Sequence, residues 1–242
     1  MFIPDDKRYD KMIYNRCGKS GLKLSALSLG FWQNFSLKNN FENMERMVHT
    51  AFNSGITHFD LANNYGNPYN GSAEENFGRI LDRGMREFRD EMCISTKAGY
   101  EMWAGPYGDK NGSRKLRTPF IINQPSYSIL NRWIEDDKLD SLALSEGFGI
   151  AVFSPLYQGF LTSKYLKGIP SDSRVGRGET WIGNELNDKM IEKLNKLNDI
   201  AASRGQTLSQ MALSWVLHNK AVTTVLIGAS RPEQITENIG CL

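Results

Sequence analysis

Short apolar runs alternate with amphipathic segments along most of the chain, and no other feature constrains the fold as strongly. Runs ending near Gly30, Ala62, Lys97, Gln124, Ser154 and Gly228 have the length and apolar content of strands. Between them, "ENMERMVHTAFNSG" reads as a helix stopped by Gly55, and "SAEENFGRILDRGMREF" as one helix with Ser72 as N-cap and Glu75 three residues on. A long helical segment up to about Glu146, helices near 185 to 204 and 207 to 219, and a final helix opening at Arg231-Pro232 complete the set. Strands that are apolar throughout, separated by helices, imply a parallel sheet covered by helices. Residues 12 to 27 precede this pattern as a hairpin. The loops 31–40, 63–71, 98–115 and 157–184 follow strand C-termini, as in a barrel whose catalytic face is built from its βα loops.

The count falls short of that barrel. Six strands are legible where closure takes eight, and between Lys97 and Phe120 there is a Gly-rich stretch with no helical crossover. "SRKLRTPF" therefore reads as a junction.

Composition narrows the function by exclusion. The 29 Lys and Arg balance 27 Asp and Glu, which gives no general attraction to nucleic acid or membrane. Cys17, Cys93 and Cys241 are odd in number and far apart, which argues against a disulfide framework or structural zinc. With no apolar run long enough to span a bilayer and no leader pattern, the expectation is a cytoplasmic protein.

The stretch "GITHFDLANNYG" sets a carboxylate, Asp60, at the end of a strand and Tyr65 five residues later. Asp60 shares its face of the strand with His58, and Lys97 shares its own with Ser95 and Cys93. Ends of neighbouring parallel strands are close enough for Asp60, Tyr65 and Lys97 to meet. A phenol titrates near pH ~10, and an adjacent ammonium lowers that value while a carboxylate keeps the ammonium charged and oriented. Such a trio can donate a proton to a carbonyl that receives hydride. A buried ion pair covered by a loop tyrosine is the plainer alternative, and spacing leaves both open.

Five motifs, "HFDLANNYG", "ISTKAGY", "INQPSY", "FSPLYQGFLTSKY" and "LIGASRPEQITENIG", occur in order over nearly the whole chain. Together they resemble the aldo-keto reductases, and most closely the branch containing bacterial L-glyceraldehyde 3-phosphate reductases and potassium-channel β-subunits. The resemblance implies an α/β fold, a (β/α)8 TIM barrel with an N-terminal β-hairpin, here with about two βα units absent. It also implies NADPH as cofactor and reduction of a small aldehyde or ketone, with Asp60, Tyr65 and Lys97 catalytic and Tyr65 the proton donor.

Under the same resemblance, Gln124 meets the nicotinamide carboxamide and Tyr127 falls near a ring-stacking aromatic. Ser154, Pro155, Leu156, Gln158 and Gly159 form the loop over the pyrophosphate, with Lys164 and Arg174 supplying cations. Ser230 and Arg231 lie where the adenosine 2′-phosphate is held, which favours NADPH over NADH, and Gly228 just before them counts among the cofactor-binding residues. Gln234, Glu237 and Asn238 match the residues at the adenine end. Trp32 joins this cofactor-side set as a wall of the pocket, and Trp103 and Tyr107 are placed similarly. Arg114 is a weaker candidate for a substrate phosphate.

Two family features have no counterpart: the histidine ending the fourth strand and the Ser-Asn or Ser-Ser pair ending the fifth. His49, His58 and His218 are the only histidines, and none occupies that place. Both losses coincide with the two uncounted strands, some 60 residues at about 30 per unit. The expectation is one barrel domain over 1–242 with a gap between 115 and 120 and an incomplete C-terminus. Two other functions stay open, a nicotinamide-binding regulatory subunit with little turnover and a phosphate-binding barrel lyase or isomerase. Partners are expected to be small-molecule carbonyls rather than nucleic acid or membrane, and homo-oligomerisation is left open.

Overall fold

The computed structural model describes residues 2–66, 70–97, 120–180 and 182–242. A two-stranded antiparallel hairpin, β1 (Tyr14–Arg16) and β2 (Lys23–Ser25), precedes the main sheet. Six parallel strands follow: β3 (Leu27–Gly30), β4 (His58–Asp60), β5 (Cys93–Ser95), β6 (Ile122–Asn123), β7 (Gly149–Val152) and β8 (Val222–Ile227). Their spatial order is β5-β4-β3-β8-β7-β6. The sheet is open, and its two edges, β5 and β6, are consecutive in the chain among the described strands. It is nevertheless curled, because Gln124, just beyond edge strand β6, donates to the Asp60 carboxylate at the end of β4 (3.0 Å). Among the described residues this is the barrel architecture with six strands in place of eight, and the opening lies between β5 and β6.

Helices α1 (Phe41–Asn53), α2 (Ser72–Asp82), α3 (Trp133–Asp136), α4 (Leu139–Glu146), α5 (Asp188–Ser203), α6 (Leu208–Leu217) and α7 (Pro232–Ile239) cover the sheet. In α1 the buried residues Met44, Met47, Val48, Ala51 and Phe52 recur at intervals of three and four, which forms one face toward the sheet. Phe31, Phe59 and Phe77 meet edge-on or tilted with centroids 4.9–6.3 Å apart, locking α2 to β4. A second cluster, with Phe160, Leu161, Tyr165, Leu194 and Leu208, anchors the long segment after β7 beneath α5 and α6.

Two expected helices are broken. The helix expected from Ser72 to about Phe88 ends at Asp82, because Gly84 takes a left-handed φ of 123°, and a 3-10 turn over Arg86–Glu91 follows. Its cap is Gly71 at φ 80°, not Ser72, which is the first helical residue. The segment leading to Glu146 is split between α3 and α4 by Lys138 at φ 58°, a break with no Gly or Pro to announce it. The final helix opens as expected, with Arg231 as cap and Pro232 in the first turn.

Candidate active site at the mouth of the curled sheet

Parallel register places Gly30 beside Asp60 and Asp60 beside Ser95, so the ends of β3, β4 and β5 are level. Asp60 is only 3% exposed. Lys97, two residues beyond Ser95, sends its ammonium back to Asp60 Oδ2 (2.7 Å) and to the Leu61 carbonyl (2.7 Å). That ammonium also stands 4.7 Å from the centre of the Tyr65 ring. Asp60, Lys97 and Tyr65 are thus brought together, Tyr65 from a loop whose ends are tied by Tyr65 N–H to the Ala62 carbonyl and Ala73 N–H to the Tyr65 carbonyl. Asp60 Oδ1 accepts two further bonds, from Ser95 Oγ (2.8 Å) and Gln124 Nε2 (3.0 Å). Three side chains from the ends of two strands, Ser95 and Lys97 from β5 and Gln124 from β6, thus donate to the Asp60 carboxylate.

A column of hydroxyls and one imidazole continues below Asp60 through the sheet interior. His58 Nε2 is 2.9 Å from Ser95 Oγ, and His58 Nδ1 is 2.8 Å from Ser28 Oγ. Ser28 Oγ lies 2.5 Å from Thr224 Oγ1, which donates to the Ser25 carbonyl (2.7 Å). Burial pushes the His58 pKa down to about 4, against the pull of Asp60 and with the repulsion of Lys97. The ring is therefore neutral at neutral pH.

The residues expected around the cofactor occupy two loops. After β7, Ser154 (φ 52°), Tyr157 (φ 47°), Gln158 (φ 55°) and Gly159 (φ 96°) all take left-handed backbone conformations, three of them without being glycine. Such a run costs about 1–3 kcal/mol per non-Gly residue and marks a loop shaped for something other than its own stability. Pro155 is buried, and Leu156 packs between the two cores. Gln158 Oε1 accepts from Thr180 (2.7 Å), and its carbonyl accepts from Arg174 (3.2 Å). Arg174 makes no ion pair among the described residues, and burial lowers its pKa. A half-buried cation without a carboxylate suits an anion from outside the chain. Lys164 is exposed nearby.

The second loop follows β8. Gly228 and Ser230 are exposed, and Arg231 is exposed at the start of α7. Gln234 folds back so that its Oε1 accepts from Ser230 N–H (2.8 Å). Glu237 is exposed on α7, whereas Asn238 is 4% exposed and turned into the fold. Trp32 lies half-buried on the loop after β3, which is tied to this region by Asn34 Nδ2 on the Ala229 carbonyl (2.9 Å).

Tyr127 is not positioned as a stacking ring. It is 2% exposed, packs on Trp215 at 5.1 Å, and bonds Glu135 through its hydroxyl. Phe153, passed over in the sequence, is 40% exposed. It lies two residues beyond Ala151, whose register partner is Thr224, so it shares the interior-facing side on which the polar column stands. The signal was the alternation along β7. Trp103, Tyr107, Arg114 and the junction after Lys115 lie outside the described residues. Two cavities of about 470 and 380 Å³ are lined by residues such as Arg16, Lys19 and Lys220, and Tyr127, Glu135 and Trp215; neither touches Asp60.

Comparison with known proteins gives this geometry a family. The chain is 40% identical to the L-glyceraldehyde 3-phosphate reductase of Escherichia coli K12, over all of the chain and 91% of the relative. That alignment runs over 317 positions, 75 more than the chain's 242 residues. A probable voltage-gated potassium channel subunit beta of Arabidopsis thaliana is 29% identical over 94% of the chain and 90% of its own length. Among solved structures, an aldo-keto reductase from Bacillus halodurans in its holo form superposes with a TM-score of 0.68 at 19% identity, covering 95% of this chain and 90% of that one, which supports the fold. The model of the Aldo/keto reductase family matches residues 26–117 and 109–242, and the chain belongs to that family of oxidoreductases.

Proposed function

We propose that the chain reduces a small aldehyde or ketone to its alcohol with NADPH, and that Tyr65 donates the proton. One observation carries the reading: the Lys97 ammonium is held by Asp60 (2.7 Å) while facing the Tyr65 ring (4.7 Å). A cation against the ring stabilises the phenolate that remains once the proton has left. NADPH, when bound, supplies hydride to the carbonyl carbon. Tyr65 passes its proton to the carbonyl oxygen, and Lys97 balances the charge left behind. Phe153 and Gln124 flank the place for the nicotinamide, Arg174 and the left-handed loop from Ser154 to Gly159 suit its pyrophosphate, and Arg231 with Ser230 suits a 2′-phosphate.

The resemblance to L-glyceraldehyde 3-phosphate reductases makes that triose phosphate the first substrate to try, and a cytoplasmic enzyme is the expected setting. We also assign the 75 extra positions of the E. coli relative to the fourth and fifth barrel units, which would close the opening between β5 and β6. A second reading is a nicotinamide-binding subunit with little turnover. It is favoured by the lack of a histidine at the mouth among the described residues, since His49 stacks on Phe2 and His58 is buried below Asp60. Steady-state NADPH oxidation with a panel of aldehydes, beside fluorescence titration of cofactor binding, separates them. Turnover dependent on aldehyde supports the reductase, and tight binding with negligible turnover supports the subunit.

A further inference from the structure

Gln124 reaches the Asp60 carboxylate from across the opening of the sheet. Asp60 ends β4, Ser95 ends β5, and Gln124 stands just beyond β6, the opposite edge. Ser95 Oγ and Gln124 Nε2 donate to the same atom, Asp60 Oδ1, at 2.8 and 3.0 Å, while the Lys97 ammonium takes Oδ2. Among the described residues, both free edges of the sheet therefore meet at one carboxylate oxygen. The backbone under Gln124 is firm, because Pro125 confines it to an extended conformation and the Pro125 carbonyl accepts from Phe153 N–H (2.9 Å) just beyond β7.

A carboxylate paired with an ammonium can only accept, so the Gln124 amide must turn its nitrogen to Asp60. One N–H is used there. The second N–H and the side-chain carbonyl make no hydrogen bond among the described residues, which leaves Gln124 one donor and one acceptor for a group outside the chain. A primary carboxamide carries the complementary pair, a carbonyl and an NH2 group. Gln124 can thus bind a carboxamide without releasing Asp60.

We propose that Gln124 is a positioning residue for proton donation as well as a cofactor contact: the amide available to the nicotinamide carboxamide also fixes the Asp60 carboxylate, which holds Lys97 against the Tyr65 ring. This rests on the reductase reading, whereas the Gln124–Asp60 bond itself does not. Hydride donor and proton donor are then set in one hydrogen-bonded frame. A change at Gln124 disturbs the chemical step along with cofactor affinity, whereas a contact to the carboxamide alone would alter affinity only.

Gln124→Glu separates the two roles, because it keeps the shape and an acceptor for the carboxamide N–H but sets a second carboxylate against Asp60 Oδ1. At saturating NADPH and pH 8, kcat should fall by about 10²-fold, the scale of a misplaced catalytic group. Lowering the pH to 6 should recover part of that loss relative to the wild type, since two carboxyls in contact retain a proton between them and the protonated one donates again. The other titratable groups around this place among the described residues are Lys97, Tyr65 and His58, and His58 charges only below that range, near pH 4. A raised KM for NADPH with kcat and its pH profile as in the wild type would overturn the positioning role. Side-chain ¹H–¹⁵N spectra of the cofactor-free full chain read the bond directly, with the Gln124 signals assigned by their loss in Gln124→Met. One Gln124 N–H should lie downfield of its partner, move back in Asp60→Asn, and move further downfield in Ser95→Ala, where Gln124 is left as the one side-chain donor to Oδ1. Signals unmoved by both variants would overturn the bond and the proposal with it. Absence of any NADPH oxidation by the wild type would instead count against the reductase reading, with the spectra unaffected.

Discussion

Lys97 Nζ lies 2.7 Å from Asp60 Oδ2 and, at the same time, 4.7 Å from the centre of the Tyr65 ring. One ammonium thus serves a carboxylate that is 4% exposed in its side chain and an aromatic that closes over it, while its own side chain keeps 35% of its surface in contact with solvent. Removing either partner leaves a charge with poor compensation.

Asp60→Asn should therefore lower folding stability by about 1–3 kcal/mol, below the cost of breaking a fully buried pair because water still reaches Lys97. Urea unfolding at neutral pH measures it. Aldehyde turnover should fall more steeply than stability, since Lys97 loses its anchor.

His58 makes stability depend on pH in a predictable sense. Its folded pKa, about 4, lies below the ordinary value of 6.5, so the fold prefers the neutral ring. Stability is full above pH ~6.5, where both states are neutral, and is lost as pH falls toward 4, because the unfolded chain takes up the proton first. The loss is on the order of 3 kcal/mol across that window. Denaturant midpoints at pH 7.5 and pH 5 should differ in the wild type and converge in His58→Gln.

Arg174→Met should separate binding from stability. The guanidinium is partly desolvated and has no ion pair among the described residues, so its removal should leave the cofactor-free protein as stable or slightly more so. NADPH affinity should drop by about tenfold or more, the equivalent of ~1.4 kcal/mol or above. Thermal melting with and without NADPH reads both quantities.

The capping box of α6 offers a control remote from the site. Thr207 Oγ1 accepts from Gln210 N–H (3.2 Å), and the Gln210 side chain accepts from Thr207 N–H (3.0 Å). Thr207→Ala should cost about 1 kcal/mol in urea unfolding without changing KM for NADPH.

Much of the site was legible because strand ends are. Asp60, Lys97, Gln124 and Ser154 each close an apolar run, and parallel pairing brings such ends to one rim. What the sequence hid were relations that cross strands or depend on backbone angles. Nothing in "WIEDDKLDS" announces the left-handed Lys138, and the aromatic of "INQPSY" looks as available as that of "VFSPL", yet Tyr127 is buried against Trp215 while Phe153 stays 40% exposed. The sequence places His58 on the face of Asp60 but does not show its partners, because Ser28 and Ser95 become neighbours through the β3-β4-β5 order, which local pattern does not encode.

The most direct test of the account is Tyr65→Phe, assayed by NADPH oxidation with a small aldehyde and by cofactor titration on the same preparation. The account predicts that kcat falls by about 10²–10⁴ while NADPH affinity is unchanged, since only the phenolic proton has been removed. Aldehyde reduction at the wild-type rate would contradict it.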